Sequence, residues 1–175
     1  LAFYYSQGWY LAGEGTSKEG DFFVLEFSKV EVKRAIAENF KLHENFKKDC
    51  YVIGKLPLCY LLLMKNAKVP WFLLVPETNK IEIHDLDAAA QKKLFQEVME
   101  LSFMLKNILR VDKVNMGAIG NIVPQLHFHV VGRFVNDFCW PKVVWGEEGF
   151  RPYEKEELNN LVGVVKSSFG SRLSF

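Results

Sequence analysis

The sequence predicts an α+β domain built on an antiparallel sheet. Three observations carry that expectation. Short apolar runs of strand length cluster at 51–53, 59–64 and 71–75, separated by turn residues. A long stretch with helical spacing of its apolar residues follows them. Two further strand-like segments and a last helical stretch complete the order of strands, helix, strands, helix, which is the signature of an α+β fold rather than of alternating parallel units.

Taken in order, residues 1–27 are aromatic-rich at Phe3, Tyr4, Tyr5, Trp9 and Tyr10, then glycine-rich, then apolar again from Phe22 to Phe27. Gly13 to Lys18 has the composition of a phosphate loop but lacks the Gly-Lys-Ser/Thr order and a preceding strand, so a turn is expected there. Ser28-Lys29-Val30-Glu31 reads as a capping box, with Val32, Ala35, Ile36 and Phe40 at helical spacing behind it. His43 is expected at the surface or as a cap. The runs Tyr51 to Ile53, Cys59 to Met64 and Trp71 to Val75 are the first strands, with turns at 54–57 and 66–70. The last two runs are almost wholly apolar, as central strands are.

Asp85 or Asp87 is placed to cap the longest helix. Leu94, Phe95, Val98, Leu101, Leu105, Ile108 and Leu109 form its core stripe, and Lys92, Lys93, Glu97, Glu100 and Lys106 its wet face. His84, near the helix start, is expected to be structural. Lys113 to Ala118 is the strand that hairpins into the next one, and residues 137–149 form a loop holding Trp140 and Trp145. Pro152 opens a last helix with Leu158, Leu161, Val162 and Val165 on one face. No repeat or linker divides the chain.

The chemistry concentrates between Gly120 and Arg133. From Gln125 the residues alternate: Gln125, His127 and His129 against Leu126, Phe128 and Val130. In a strand that period puts three polar groups on one face, roughly 6–7 Å apart. The Gly120-Asn121 pair ahead marks a turn able to fold a backbone N–H and an amide over the strand's start. A bare His-x-His pair is as often a hydrogen-bonded core feature; the third polar residue in register, the turn and Arg133 favour an active-site strand.

This stretch resembles the signature of the histidine triad (HIT) family, a His-x-His-x-His strand after a Gly-Gln-x-Val turn. Gly120-Asn121-Ile122-Val123 stands in the turn, His127 and His129 match the second and third histidines, and Gln125 takes the place of the first. Arg133 with Trp140-Pro141 and Trp145-Gly146 is similar to a bacterial Gln-x-His-x-His branch, resembling diadenosine polyphosphate hydrolases. The resemblance covers roughly residues 40–146. It implies a HIT-like domain at 37–175 behind an extension of uncertain role at 1–36. It implies catalytic roles for His127, His129 and Gln125, and substrate contacts from Asn121, Gly120 and Asn66 in the loop between strands. Many family members have Gly-His where this chain has Trp71-Phe72. The expected substrates are nucleoside–phosphate–X compounds, dinucleoside polyphosphates or phosphoramidates, cleaved or transferred at the α-phosphate with no cofactor and no metal. A homodimer is the family's usual state.

A neutral imidazole attacks phosphorus well, and splitting one displacement into two is the use of His127 at the centre of the trio. Three alternatives remain: a metal hydrolase with His127 and His129 as ligands, which lacks a third ligand at clear spacing; a non-catalytic nucleotide-binding module, which Gln125 would permit; and a purely structural domain. Net charge of +1 argues against nucleic acid or an acidic membrane as partner. Cys50, Cys59 and Cys139 form no Cys-x-x-Cys pair, which suits a reducing cytoplasm. No apolar run has the ~20 residues of a membrane span, and the N-terminal residues lack the basic stretch of a secretory signal.

Overall fold

A computed structural model describes residues 40–174 in full and, for 9–17 and 20–27, the course of the backbone. The predicted capping box at Ser28 and the helix behind it lie outside the described residues. Strands β1 (Trp9–Ser17) and β2 (Gly20–Phe27) pair antiparallel as a two-stranded sheet. The Gly13 to Lys18 turn therefore gives way to strand up to Ser17, which pairs with Gly20; a shift of register between Leu11 and Gly13 leaves Ala12 as the extra residue.

The main sheet has five antiparallel strands, β3 (Cys50–Lys55), β4 (Cys59–Met64), β5 (Trp71–Pro76), β6 (Lys113–Gly117) and β7 (Phe128–Arg133), in the order β3-β4-β5-β7-β6. The expected turn at 54–57 starts later, since Gly54 and Lys55 still pair with β4 across a bulge. Among the described residues three α-helices pack with the sheet: α1 (Glu44–Asp49), α2 (Ala88–Asn107) and α3 (Lys155–Phe169). Among the described residues no helix is long and apolar enough to cross a membrane.

Side-chain parity sorts the sheet into two faces. Leu61, Leu63, Phe72, Leu74, Phe128 and Val130 pack against α2, whose Leu94, Val98, Leu101 and Leu105 are fully buried. Removing one such leucine side chain typically costs about 2–5 kcal/mol. The opposite face carries Leu62, Leu73 and Val75 beneath Phe46 of α1. Both faces are covered, and that is why β4 and β5 read as unbroken apolar runs. Gly132 is required by close approach: a Cβ there would stand 2.7 Å from Val111 and 2.9 Å from Pro70.

Of the two candidate caps Asp87 serves, accepting from the Ala90 N–H at 2.8 Å, and the long helix follows the predicted stripe with two corrections. Phe95 and Ile108 are 44% and 48% exposed; they flank the stripe, and Ala90 and Met104 fill it instead. Glu97, assigned to the wet face, is fully buried, its carboxylate taking the N–H groups of Leu58 at 2.9 Å and Cys59 at 3.1 Å. Burial pushes the Glu97 carboxyl up, against the pull of those bonds. It satisfies the tight β3–β4 connection from below, a long-range demand invisible in helical periodicity. The last helix begins three residues after Pro152, behind a reciprocal cap between Glu154 and Glu157.

Candidate active site

The sheet face away from α2 carries the two histidines. His129 lies in β7 opposite Leu73 of β5, and His127 precedes the strand on the same side. Their rings stand 4.8 Å apart between centroids, inclined at 70°, and both residues are more than nine-tenths buried.

Hydrogen bonds assign each ring a tautomer. Nδ1 of His127 lies 2.7 Å from the backbone carbonyl of Gln125, an acceptor only, so Nδ1 carries the proton and Nε2 the lone pair. At His129 the order is reversed. The Trp71 indole N–H donates to Nδ1 at 2.9 Å, which leaves the His129 proton on Nε2. The Ile119 carbonyl beside both rings favours their protonated forms, a smaller effect than burial. Burial lowers the pKa of His127. At His129 burial, reinforced by His127, lowers it to about 4. Both imidazoles are neutral near pH 7, one presenting a lone pair and the other a donor.

Two cavities meet at His127, Ile119 and Asn121. One, of about 340 Å³, is apolar and includes Phe46, Met64, Leu73 and Val123 in its walls. The other, of about 480 Å³, runs past Gly120 and Pro124 to Ile81 and Glu82. Phe46 meets the His127 ring edge-on at 5.0 Å. Trp145 closes against His129 at 5.7 Å and Trp71 at 5.8 Å. Among the described residues no three His, Cys, Asp or Glu side chains converge to hold a metal.

The HIT domain family model matches residues 45–136, just over half of the chain. A solved histidine triad protein from Bradyrhizobium japonicum is 39% identical, over 74% of this chain and 97% of that one, with a TM-score of 0.72. This chain belongs to the HIT domain family. Histidine triad proteins from Marinobacter aquaeolei and Sinorhizobium meliloti superpose similarly, at 34% and 35% identity and TM-scores of 0.73 and 0.72. They share 76% and 74% of this chain and 98% and 97% of their own. Comparison with curated proteins gives no match. HIT-domain proteins bind nucleotides, and the family includes hydrolases and transferases.

Within this HIT domain, His127, His129, Gly120 and Asn121 come together, with Asn121 on the wall of both cavities. Gln125 and Asn66 point elsewhere. The Gln125 amide accepts from the His43 N–H and donates to the Lys41 carbonyl, each at 2.9 Å, so it does not line up with the histidines. The strand begins only at Phe128, and the period-two row is broken before it reaches Gln125. Asn66 donates to the Gly149 carbonyl at 2.9 Å and accepts from the Arg151 N–H at 3.1 Å, pinning that loop. His43 is a cap, its Nδ1 accepting from the Asn45 N–H.

Arg133 is buried and occupied. Its guanidinium pairs with Asp137 at 2.6 and 2.9 Å and with Asn115 at 2.9 Å, and the Asp137 carboxylate also takes the N–H groups of Phe134 and Cys139. It anchors the loop that returns Trp145 to His129. Trp71, Phe46 and Trp145 were not singled out as site residues. Trp71 carries a signal in its alternation with Leu73, which puts it on the histidine face, and Trp145 in the Trp-Gly pair of the resemblance.

Proposed function

We propose that this chain is a nucleotide hydrolase or nucleotidyl transferase acting at the α-phosphate of nucleoside–phosphate–X substrates, with His127 as nucleophile. The observation that carries the reading is the bond from His127 Nδ1 to the Gln125 carbonyl, which leaves a lone pair on Nε2 of a neutral ring. The N–P bond forms from that pair as P–X breaks, and X leaves with its electrons and takes up a proton from solvent. Positive charge developing on the imidazole is held through Nδ1–H by the Gln125 carbonyl. Water then attacks phosphorus, the N–P pair returns to Nε2, and the second water proton passes to solvent. His129, neutral at this pH, donates a hydrogen bond from Nε2 to the leaving group. Asn121 and the backbone at Gly120 serve a nonbridging oxygen; one such donor is typically worth a factor of about 10²–10³.

The two cavities support a bipartite substrate, with the base in the apolar one and X in the one beyond His127. No Lys or Arg stands among the described residues lining either. That favours a phosphoramidate over the polyphosphate leaving group that the resemblance to the bacterial Gln-x-His-x-His branch implies; the HIT family resemblance covers both. A homodimer forms part of the reading, supported by the open edge of β6 and by Phe95, Met99 and Phe103, which are 44–64% exposed along one side of α2. Three unpaired, buried cysteines fit a cytoplasmic setting.

The test is rapid alkaline quenching during turnover of an adenosine phosphoramidate, followed by intact-mass measurement. Phosphoramidates of histidine survive base, so a nucleoside monophosphate adduct mapping to His127 is expected, and His127→Ala should show none. Retention of configuration at a chiral phosphorus is the second expected result, because two in-line inversions cancel. Inversion with chelator-sensitive turnover would overturn the mechanism. A second reading, a nucleotide-binding module without turnover, is favoured by the diversion of the Gln125 amide to residues 41–43. It predicts saturable binding with neither adduct nor product.

A further inference from the structure

We propose that Gln125 is a positioning residue whose amide clamps the start of α1 and so holds the wall of the apolar cavity, rather than touching the substrate. The inference rests on the nucleotide reading above for what fills that cavity. Helix α1 has only six residues, far below the length at which a helix is stable alone, so its placement must come from attachments. Three are visible. Phe46 is buried among Leu62, Leu73, Val75 and Val123. At the C-terminal end the Lys65 ammonium donates to the Lys47 and Lys48 carbonyls. At the N-terminal end Gln125 reaches across more than eighty residues of sequence to bind the backbone on both sides of Leu42, accepting from His43 and donating to Lys41.

The clamp matters because of what α1 presents. Its Asn45, Phe46 and Asp49 line the apolar cavity, and Phe46 is the ring that meets His127 edge-on at 5.0 Å. The clamp and the nucleophile also share one residue. The side chain of Gln125 fixes residues 41–43, and its carbonyl fixes the tautomer of His127. Glutamine suits the task because it offers an acceptor and a donor at the end of one side chain. Glutamate would offer only acceptors and would set a carboxylate against the Lys41 carbonyl.

Gln125→Ala and Gln125→Glu test this, with AMP titration, amide hydrogen exchange and turnover of phosphoramidates of graded leaving group read together. The clamp predicts AMP binding weaker by a factor of about 5–10 in Gln125→Ala, the equivalent of one to two hydrogen bonds. It predicts faster exchange at Asn45 and Phe46 with unchanged protection in β4 and β5. It predicts a raised KM, with kcat within about twofold and an unaltered leaving-group dependence. Gln125→Glu should show the same defects. The proposal is overturned if Gln125→Ala lowers kcat selectively for poor leaving groups at unchanged AMP affinity, which would make Gln125 a direct donor. It is equally overturned if exchange at α1 does not change. AMP affinity and exchange need no turnover, so a failure of the catalytic reading would leave this test standing.

Discussion

Replacing Trp71 with phenylalanine keeps a ring in the site and removes one N–H, the donor that holds His129 in the tautomer with its proton on Nε2. His129 is only 8% exposed, so its Nδ1 has no solvent to turn to. An unmet buried acceptor costs about 1–3 kcal/mol. The ring escapes that cost by moving its proton to Nδ1 or by rotating, and either response withdraws the donor from the leaving group. The tautomer bias lost corresponds to a factor of about 5–150. We therefore expect kcat in Trp71→Phe to fall by about tenfold for poor leaving groups and by less than about twofold for good ones, which need little help. The Trp71 N–H can bond only an unprotonated Nδ1, so its loss should also raise the His129 pKa from its depressed value of about 4. Imidazole ¹⁵N shifts across a pH titration report both tautomer and pKa, and steady-state rates across a leaving-group series report the donor. Unchanged ¹⁵N shifts together with an unchanged leaving-group dependence would refute the assignment of Trp71 as the residue that orients His129.

Three other outcomes follow from the same geometry. Acid should destabilise the fold. The folded state resists protonating His129 while the unfolded chain takes the proton up below about 6.5, so stability is intact above that pH and is lost on descending toward 4. His127 adds in the same sense. His129 alone gives about 2 kcal/mol between pH 7.5 and 5; urea midpoints should fall accordingly, less so in His129→Asn, and a flat midpoint would contradict the burial argument. Glu97→Ala should cost about 2–4 kcal/mol in chemical denaturation, because it orphans the N–H groups of Leu58 and Cys59, and a loss under 0.5 kcal/mol, the scale of a surface substitution, would mean solvent reaches them. Phe103→Lys, at a residue 64% exposed, should shift a homodimer toward monomer in sedimentation without lowering the denaturation midpoint at matched assembly state; no shift would remove α2 from the dimer face.

Local patterns predicted most of this molecule because the elements obey local rules. The runs at 59–64 and 71–75 became β4 and β5, and His127 and His129 share a face as their spacing required. What the pattern missed were partnerships across the chain. Glu97 looked like a wet-face residue because helical periodicity cannot register two N–H groups 39 and 38 residues earlier that need an acceptor. Gln125 looked like the third member of a row because alternation continues in the letters after the strand has ended, and only the fold reveals His43 and Lys41 within reach. Trp71 looked like a departure from a family pattern and became the partner of His129. Arg133 read as support for an active-site strand, and the fold commits it instead to Asp137 and Asn115.

The two histidines take their tautomers from an indole N–H and a peptide carbonyl, neither of which carries a charge. A charged partner would respond to added salt to the degree that solvent reaches it, with a screening length near 8 Å in solution at physiological ionic strength. An uncharged one does not. With a net charge of +1 and no cation among the described residues lining the cavities, the encounter with substrate lacks electrostatic steering as well. Both the chemical step and the capture step should thus run at nearly the same rate in dilute and in concentrated salt, an indifference to ionic strength unusual for a protein that handles phosphate.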